Sequence, residues 1–257
     1  MKKLFFALFP ALVIFVFGVS AAQAHFGMII PSDQMVMSGE SKTVHLDLKF
    51  WHPFEGHGMN LEKPAAFKVY HDGKADDLLG SLKEKKVGEF LTWETDYKVG
   101  RPGLYAFFME PKPYWEPAED CFIVHNTKVY VAAFGDDEGW DQPLGVKLEI
   151  VPVSKPYGLY TGNVFQGQVL YQGKPVPGAE VEVEFYTENG KGEAPSDYMV
   201  TQTVKADPNG IFTYAAPKAG WWGFAALMTD DQKMKQDGQD KDIEIGGVIW
   251  VKFHDMK

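Results

Sequence analysis

The sequence predicts an all-β protein made of two β-sandwich domains, and three observations carry that expectation. The apolar period is two: Val44, Leu46, Leu48 and Phe50 alternate with Thr43, His45, Asp47 and Lys49, as in a half-buried strand. Short runs rich in aromatic and β-branched residues recur at regular spacing, separated by Gly, Pro and Asp-Gly turns. No stretch beyond the first residues carries a clear amphipathic helical period.

In order, Phe26 to Ile30 reads as a first strand and Thr43–Phe50 as the next. Ala66–Tyr70 runs into the turn His71-Asp72-Gly73-Lys74. Phe90–Tyr97 follows, then the turn Gly100-Arg101-Pro102-Gly103 and the strand Leu104–Met109. Phe122–Val124 and Lys128–Phe134 read as two strands, or one long bent strand, around a bend at His125. Val146–Val151 closes this half. Two prolines and a glycine in Pro152-Val153-Ser154-Lys155-Pro156-Tyr157-Gly158 mark a stiff linker over 153–158. The expected domains are therefore 25–152 and 159–257. The second carries strands at Gly167–Tyr171, Glu180–Tyr186, Thr203–Lys205, Ile211–Tyr214, Trp221–Leu227 and Ile243–Phe253, with a charged loop expected over Thr229–Asp242.

Residues 1–24 read as a secretory leader. Lys2 and Lys3 precede an apolar run, Leu4 to Val19, and Ala22-Gln23-Ala24 fits the small-x-small cleavage rule. The run is short for a spanning helix of about 20 apolar residues, and Pro10 interrupts it. We expect cleavage after Ala24 and a soluble periplasmic protein. Cleavage removes two of the 25 basic residues and none of the 35 acidic ones, so the net charge deepens from −10 to −12. That balance disfavours nucleic acid as a partner. The one cysteine, Cys121, allows no internal disulfide. It packs as a small hydrophobe or serves as a soft ligand.

Cleavage would make His25 the first mature residue. Its free amine and Nδ1 then form a six-membered chelate, a nitrogen pair suited to Ni, Co, Cu and Zn. The plainer reading is that cleavage happens to fall before a histidine in an ordinary strand. His52 and His57 flank a loop with Pro53, Gly56 and Gly58, a spacing that brings two rings to one ion if the loop turns sharply. Glu55 in that loop is an oxygen ligand or an acceptor that fixes a tautomer. His125 is a third candidate. His45 shares the outward face of its strand with Asp47, and His71 and His254 read as surface residues. No Ser or Cys is flanked as an activated nucleophile, and no GxGxxG, P-loop, HExxH or CxxC occurs. We expect a binding protein rather than an enzyme. An N-terminal histidine with a second histidine also matches the histidine brace of copper oxygenases. A structural or adhesive protein without metal is a further alternative.

Two resemblances sharpen this. "GQVLYQGKPVPGAEVEV" and "ADPNGIFTYAAPKAGWWGFAAL" resemble the transthyretin-like, carboxypeptidase-regulatory modules, which are mostly structural. "AHFGMIIPS", "FWHPFEGHGMNLEKP", "GRPGLYAF" and "PYWEPAEDCFIVHNTKVYV" resemble the periplasmic DUF4198 family found beside nickel and cobalt importers of the energy-coupling-factor type. That resemblance implies an immunoglobulin-like first domain that takes up Ni2+, with Co2+ or Cu2+ as alternatives, for a membrane-embedded transporter component. It carries over His25, His52 and His125, with His57 and Glu55 sharing the loop. Copper-resistance carriers, which also begin with a mature histidine, are the nearest rival.

Overall fold

The structure is a computed structural model and describes residues 25–188, 190 and 192–256. The leader expected over 1–24 lies outside the described residues. The described strands are β1 Phe26–Pro31, β2 Met35–Val36, β3 Thr43–His52, β4 His57–Met59, β5 Ala66–His71, β6 Lys74–Asp77, β7 Lys83–Val87, β8 Phe90–Lys98, β9 Gly103–Glu110 and β10 Tyr114–Glu116. There follow β11 Cys121–Ala133, β12 Leu148–Pro152, β13 Leu159–Tyr160, β14 Val164–Tyr171, β15 Lys174–Pro175, β16 Glu180–Phe185, β17 Gln202–Lys205, β18 Ile211–Ala215, β19 Gly220–Gln236 and β20 Gln239–His254. Among the described residues there are two 3₁₀ turns and no α-helix.

The protein is all-β, and its described strands form three sheets. An outer sheet has the order β1-β3-β8-β7, with β4 on β3. The central sheet runs β17-β16-β19-β20-β11-β9-β5-β6. The third runs β12-β14-β15, with β18 on β14. Each outer sheet buries a separate core against the central one. Phe26, Leu46, Leu48, Phe107, Val129 and Trp250 share the first core. Ile150, Phe165, Val181, Phe212, Phe224 and Ile249 share the second. Both sandwiches thus use the same central strands. This explains why β11 and β20 are buried along most of their length: strands covered on both faces read as continuous apolar runs rather than alternating ones. β11 and β20 pair in parallel from Phe122↔Ile243 to Val129↔Trp250, so strands from both halves of the chain are hydrogen-bonded neighbours. The segment 153–158 lies between β12 and β13, and the central sheet continues across it.

Two expectations are corrected. His125 does not sit at a bend: Cys121–Ala133 is one uninterrupted strand with His125 in its interior. The charged stretch Thr229–Asp242 is not a loop but the outer half of the β19–β20 hairpin. Its charges pair across the strands, Lys233–Asp242 at 2.8 Å and Lys235–Asp240 at 2.9 Å, the arrangement that supports a solvated hairpin.

Two glycines set the approach of β1 to the central sheet. A Cβ on Gly27 would stand 2.2 Å from the Thr127 hydroxyl oxygen, and one on Gly223 would meet both Trp250 and Phe26. With no side chains there, β1 lies flat on the sheet, and the Trp250 indole N–H donates to the Gly27 carbonyl at 2.8 Å.

Candidate metal centre

Three histidines gather around Phe50 where the first sandwich ends, though their ring nitrogens do not all lie within 4.8 Å of one another. β1 runs antiparallel to β3 with Phe26 opposite Trp51. One step earlier, His25 comes alongside His52, and their ring centres are 4.5 Å apart. His52 continues the row Val44, Leu46, Leu48, Phe50 on the inner face of β3, which is why a histidine at a strand end is buried. Phe50 is the common neighbour. The His25 ring stacks on it at 5.6 Å, and His125 meets it edge-on at 6.1 Å from the central sheet. His125 is 1% exposed and lies over Gly246 of β20.

Each of two histidines is held by a carboxylate through the same ring nitrogen. His25 Nε2 lies 3.2 Å from Glu116, on β10, and His125 Nε2 lies 3.2 Å from Glu244, on β20. The His125 Nδ1 is buried without a hydrogen-bond partner. Burial first, and then the neighbouring His125 charge, hold His25 below the usual imidazole range against the opposing pull of Glu116 and Glu244. Burial pushes Glu244 up, but the hydrogen bond and charge of His125, with the charge of His25, outweigh it and hold the carboxyl below its usual value.

Further acids surround the pair. Burial raises Glu119, and so do the charges of Glu244 and Glu116. Burial and Glu244 push Glu182, on β16, up to about 7. Burial and the same carboxylates push the Cys121 thiol up to about 11, so it is protonated at neutral pH and is a poor soft ligand there. This is an acid-rich, partly dry recess in which neighbouring carboxylates repel one another, a setting that a cation relieves.

The structure brings together His25, His52 and His125, with His57 at the margin. His57 faces His52 directly across the β3–β4 hairpin, ring centres 6.1 Å apart, but is exposed and packs against Phe90. Glu55, at the hairpin tip, is half-buried and lines a cavity with His57 and Phe54 instead of facing His25. The tip is tied down by the segment after β16: Thr187 N–H donates to Pro53 at 3.0 Å and Gly192 N–H to Phe54 at 2.7 Å.

Sequence reasoning missed Glu116, Glu182 and Glu244. The one signal was alternation: Glu180, Glu182 and Glu184 occupy every second position of β16, and Glu244 alternates with Ile243 and Ile245. Such patterns ordinarily mark a solvated face.

Among the described residues, one group of three offers metal-binding atoms all within 4.8 Å of one another, and it is His45, Asp47 and Glu94. Its centre already holds a cation. Lys85 Nζ lies 2.9 Å from both Asp47 and Glu94, and these hydrogen bonds raise its pKa further. His45 Nδ1 meets Asp96 at 2.8 Å. The group is a satisfied charge network on the outer face of β3 and β8.

The chain matches the family model described as "Domain of unknown function (DUF4198)" over residues 22–230. It belongs to that family. The match covers the whole candidate site except Glu244 and takes in part of both cores of this DUF4198 chain, ending before β20. A search of the curated proteins gave no match. Among solved structures, the Yersinia pseudotuberculosis adhesin InvE is 11% identical, with a TM-score of 0.23, covering 86% of this chain and 58% of that one. A putative carbohydrate binding protein from Bacteroides uniformis is 14% identical, with a TM-score of 0.23, covering 77% and 92%. Likeness this weak carries no argument about function.

Proposed function

We propose that this DUF4198 protein is exported, loses its leader after Ala24, and captures a divalent transition-metal ion as cargo for a membrane importer. Nickel is the first choice and cobalt or copper the alternatives. It acts as a binding protein and not as an enzyme. His25 contributes its freed amine and Nδ1, and His125 and His52 contribute imidazoles. His57, across the β3–β4 hairpin from His52, stands at the margin of the site, while Glu55 lines the neighbouring cavity and contributes no donor in this arrangement.

One observation carries the reading. In both His25 and His125 it is Nε2 that meets a carboxylate. A carboxylate on one ring nitrogen fixes the tautomer with its proton there and leaves the other nitrogen as the lone-pair donor. For His25 that donor is Nδ1, the nitrogen that chelates with the α-amine. For His125 it is the buried Nδ1 that has no partner. The donors are nitrogens backed by carboxylates, which suit borderline metals rather than Ca²⁺ or Mg²⁺. The carboxylates of Glu116 and Glu244, which face the two histidines, add the negative potential that draws a cation in.

The test is calorimetric titration of the mature chain with Ni²⁺, Co²⁺, Cu²⁺ and Zn²⁺. One ion per chain is expected. Glu244→Gln, which removes only the carboxylate behind His125, should weaken binding by about 10–100-fold. Absence of stoichiometric binding by any of the four, or full affinity in both Glu244→Gln and His125→Ala, contradicts the reading.

A further inference from the structure

Beside His125 lies a cavity of about 340 Å³, larger than a bare ion needs. Its walls are mostly aromatic and aliphatic, with Phe50, Tyr114, Trp115 and Phe122 among them, and the paired Glu62 and Lys112 line it together with His125. Phe50 and Phe122 are buried in the protein, and Trp115 is braced against Phe122, ring centres 5.0 Å apart. The space is of the size and lining of a small-molecule site, not of a cation site: pockets for organic ligands start at roughly 300 Å³ and are mainly apolar with a few placed polar groups.

We propose that the cavity holds the planar ring of a small organic chelator, so that the cargo is a metal chelate rather than a bare ion. This rests on the metal reading above. The two sites adjoin through Phe50, which touches His25, His125 and Tyr114. A metal held by the nitrogens of His25 and His125 keeps coordination positions open. A bidentate nitrogen–oxygen chelator fills two of them while its ring lies in the cavity that Tyr114 and Trp115 line. The partly exposed Tyr114 and Trp115 give the ring a way in, and His125, whose buried Nδ1 has no hydrogen-bond partner, is among the residues that line the cavity.

Two chelators with the same donor atoms isolate the ring: 2-picolinate, which has one, and glycine, which does not. The mature chain is dialysed to equilibrium against Ni²⁺ alone, Ni²⁺ with 2-picolinate and Ni²⁺ with glycine, and both metal and chelator are counted. The expected result is one picolinate per bound nickel. Scaled to each chelator's own hold on aqueous nickel, picolinate should be retained at least about tenfold better than glycine, as expected for burial of an aromatic ring. Trp115→Ala should erase that preference and leave retention of Ni²⁺ alone unchanged, and Trp115→Phe should restore part of it. If Ni²⁺ is retained but picolinate does no better than glycine, the chelate proposal is overturned and the metal site stands. The proposal is equally overturned if Trp115→Ala weakens Ni²⁺ alone by the same factor, or if picolinate is retained as well without metal. If nickel is retained in no form, the metal reading itself fails.

Discussion

A Cβ at position 246 would stand 2.4 Å from Cδ2 of His125, so the imidazole lies in space that only a glycine leaves open. Gly246 and His125 are register partners on parallel strands whose sequence positions are far apart. The site therefore depends on how closely β20 packs beside β11, and that closeness can be tested without touching a donor.

Gly246→Ala forces the His125 ring off its present position or pushes the strands apart. Overpacking of this kind costs about 1–3 kcal/mol of stability. Because the ring is displaced from both Glu244 and Phe50, nickel affinity should fall by about tenfold or more, a loss of the size seen when the groups that orient a ligand are removed. A thermal melt and a calorimetric titration on the same preparation read the two effects. Unchanged affinity with lowered stability would separate His125 from the metal.

Glu184 gives the fold a pH dependence of its own. It is buried between Thr201, whose hydroxyl donates to it, and the Phe54 N–H at 3.3 Å. Burial pushes its carboxyl up to about 8 from the ordinary 4.5. The folded state thus binds this proton more tightly than the unfolded one. The resulting stability is complete below about pH 4.5 and is lost as pH rises towards about 8. Across that window a single such group contributes up to about 1.4 kcal/mol per pH unit. Glu184→Gln, neutral at every pH, should show a flatter fall in melting temperature between pH 5 and 8 than the parent. Its residual slope below pH 7 is expected from Glu182. Identical slopes would contradict the assignment.

His45 serves as the control. Its ring and the carboxylates around it are satisfied by Lys85 and Asp96 on the outer face of the sheet. His45→Ala should leave both the stoichiometry and the affinity of nickel binding unchanged. A lost equivalent in the titration would mean that this network, and not the His25 recess, takes the ion.

What the sequence disclosed follows from what is local. The alternation of Val44 to Phe50 is a strand property, and it appears in the structure as β3. His25 and His52 could be paired as candidates because one follows a cleavage motif and the other ends an amphipathic strand. Glu116 and Glu244 could not be seen, because their roles come from pairings between residues distant in sequence. The His125–Glu244 contact exists only because β20 returns in parallel beside β11. A carboxylate at an alternating strand position has the same sequence pattern whether that face meets water or a buried histidine. Thr229–Asp242 was misread for a related reason. Its charges look like a loop until the register sets Lys233 opposite Asp242, and register is not written in composition. His125 was expected at a bend because polar residues interrupt the apolar run there. The interruption holds buried polar groups with carboxylate partners, His125 against Glu244 and Lys128 against Glu149, set into one continuous strand.

The most direct test of the central claim concerns the α-amine of His25. Two mature chains are titrated with Ni²⁺ under identical conditions, one beginning at His25 and the other carrying a single additional glycine before it. The extra residue leaves every side chain in place and converts the amine of His25 into an amide. The account predicts that the extended chain binds at least about tenfold more weakly, equivalent to roughly 1.4 kcal/mol or more for the lost donor. Equal affinities in the two chains would contradict it.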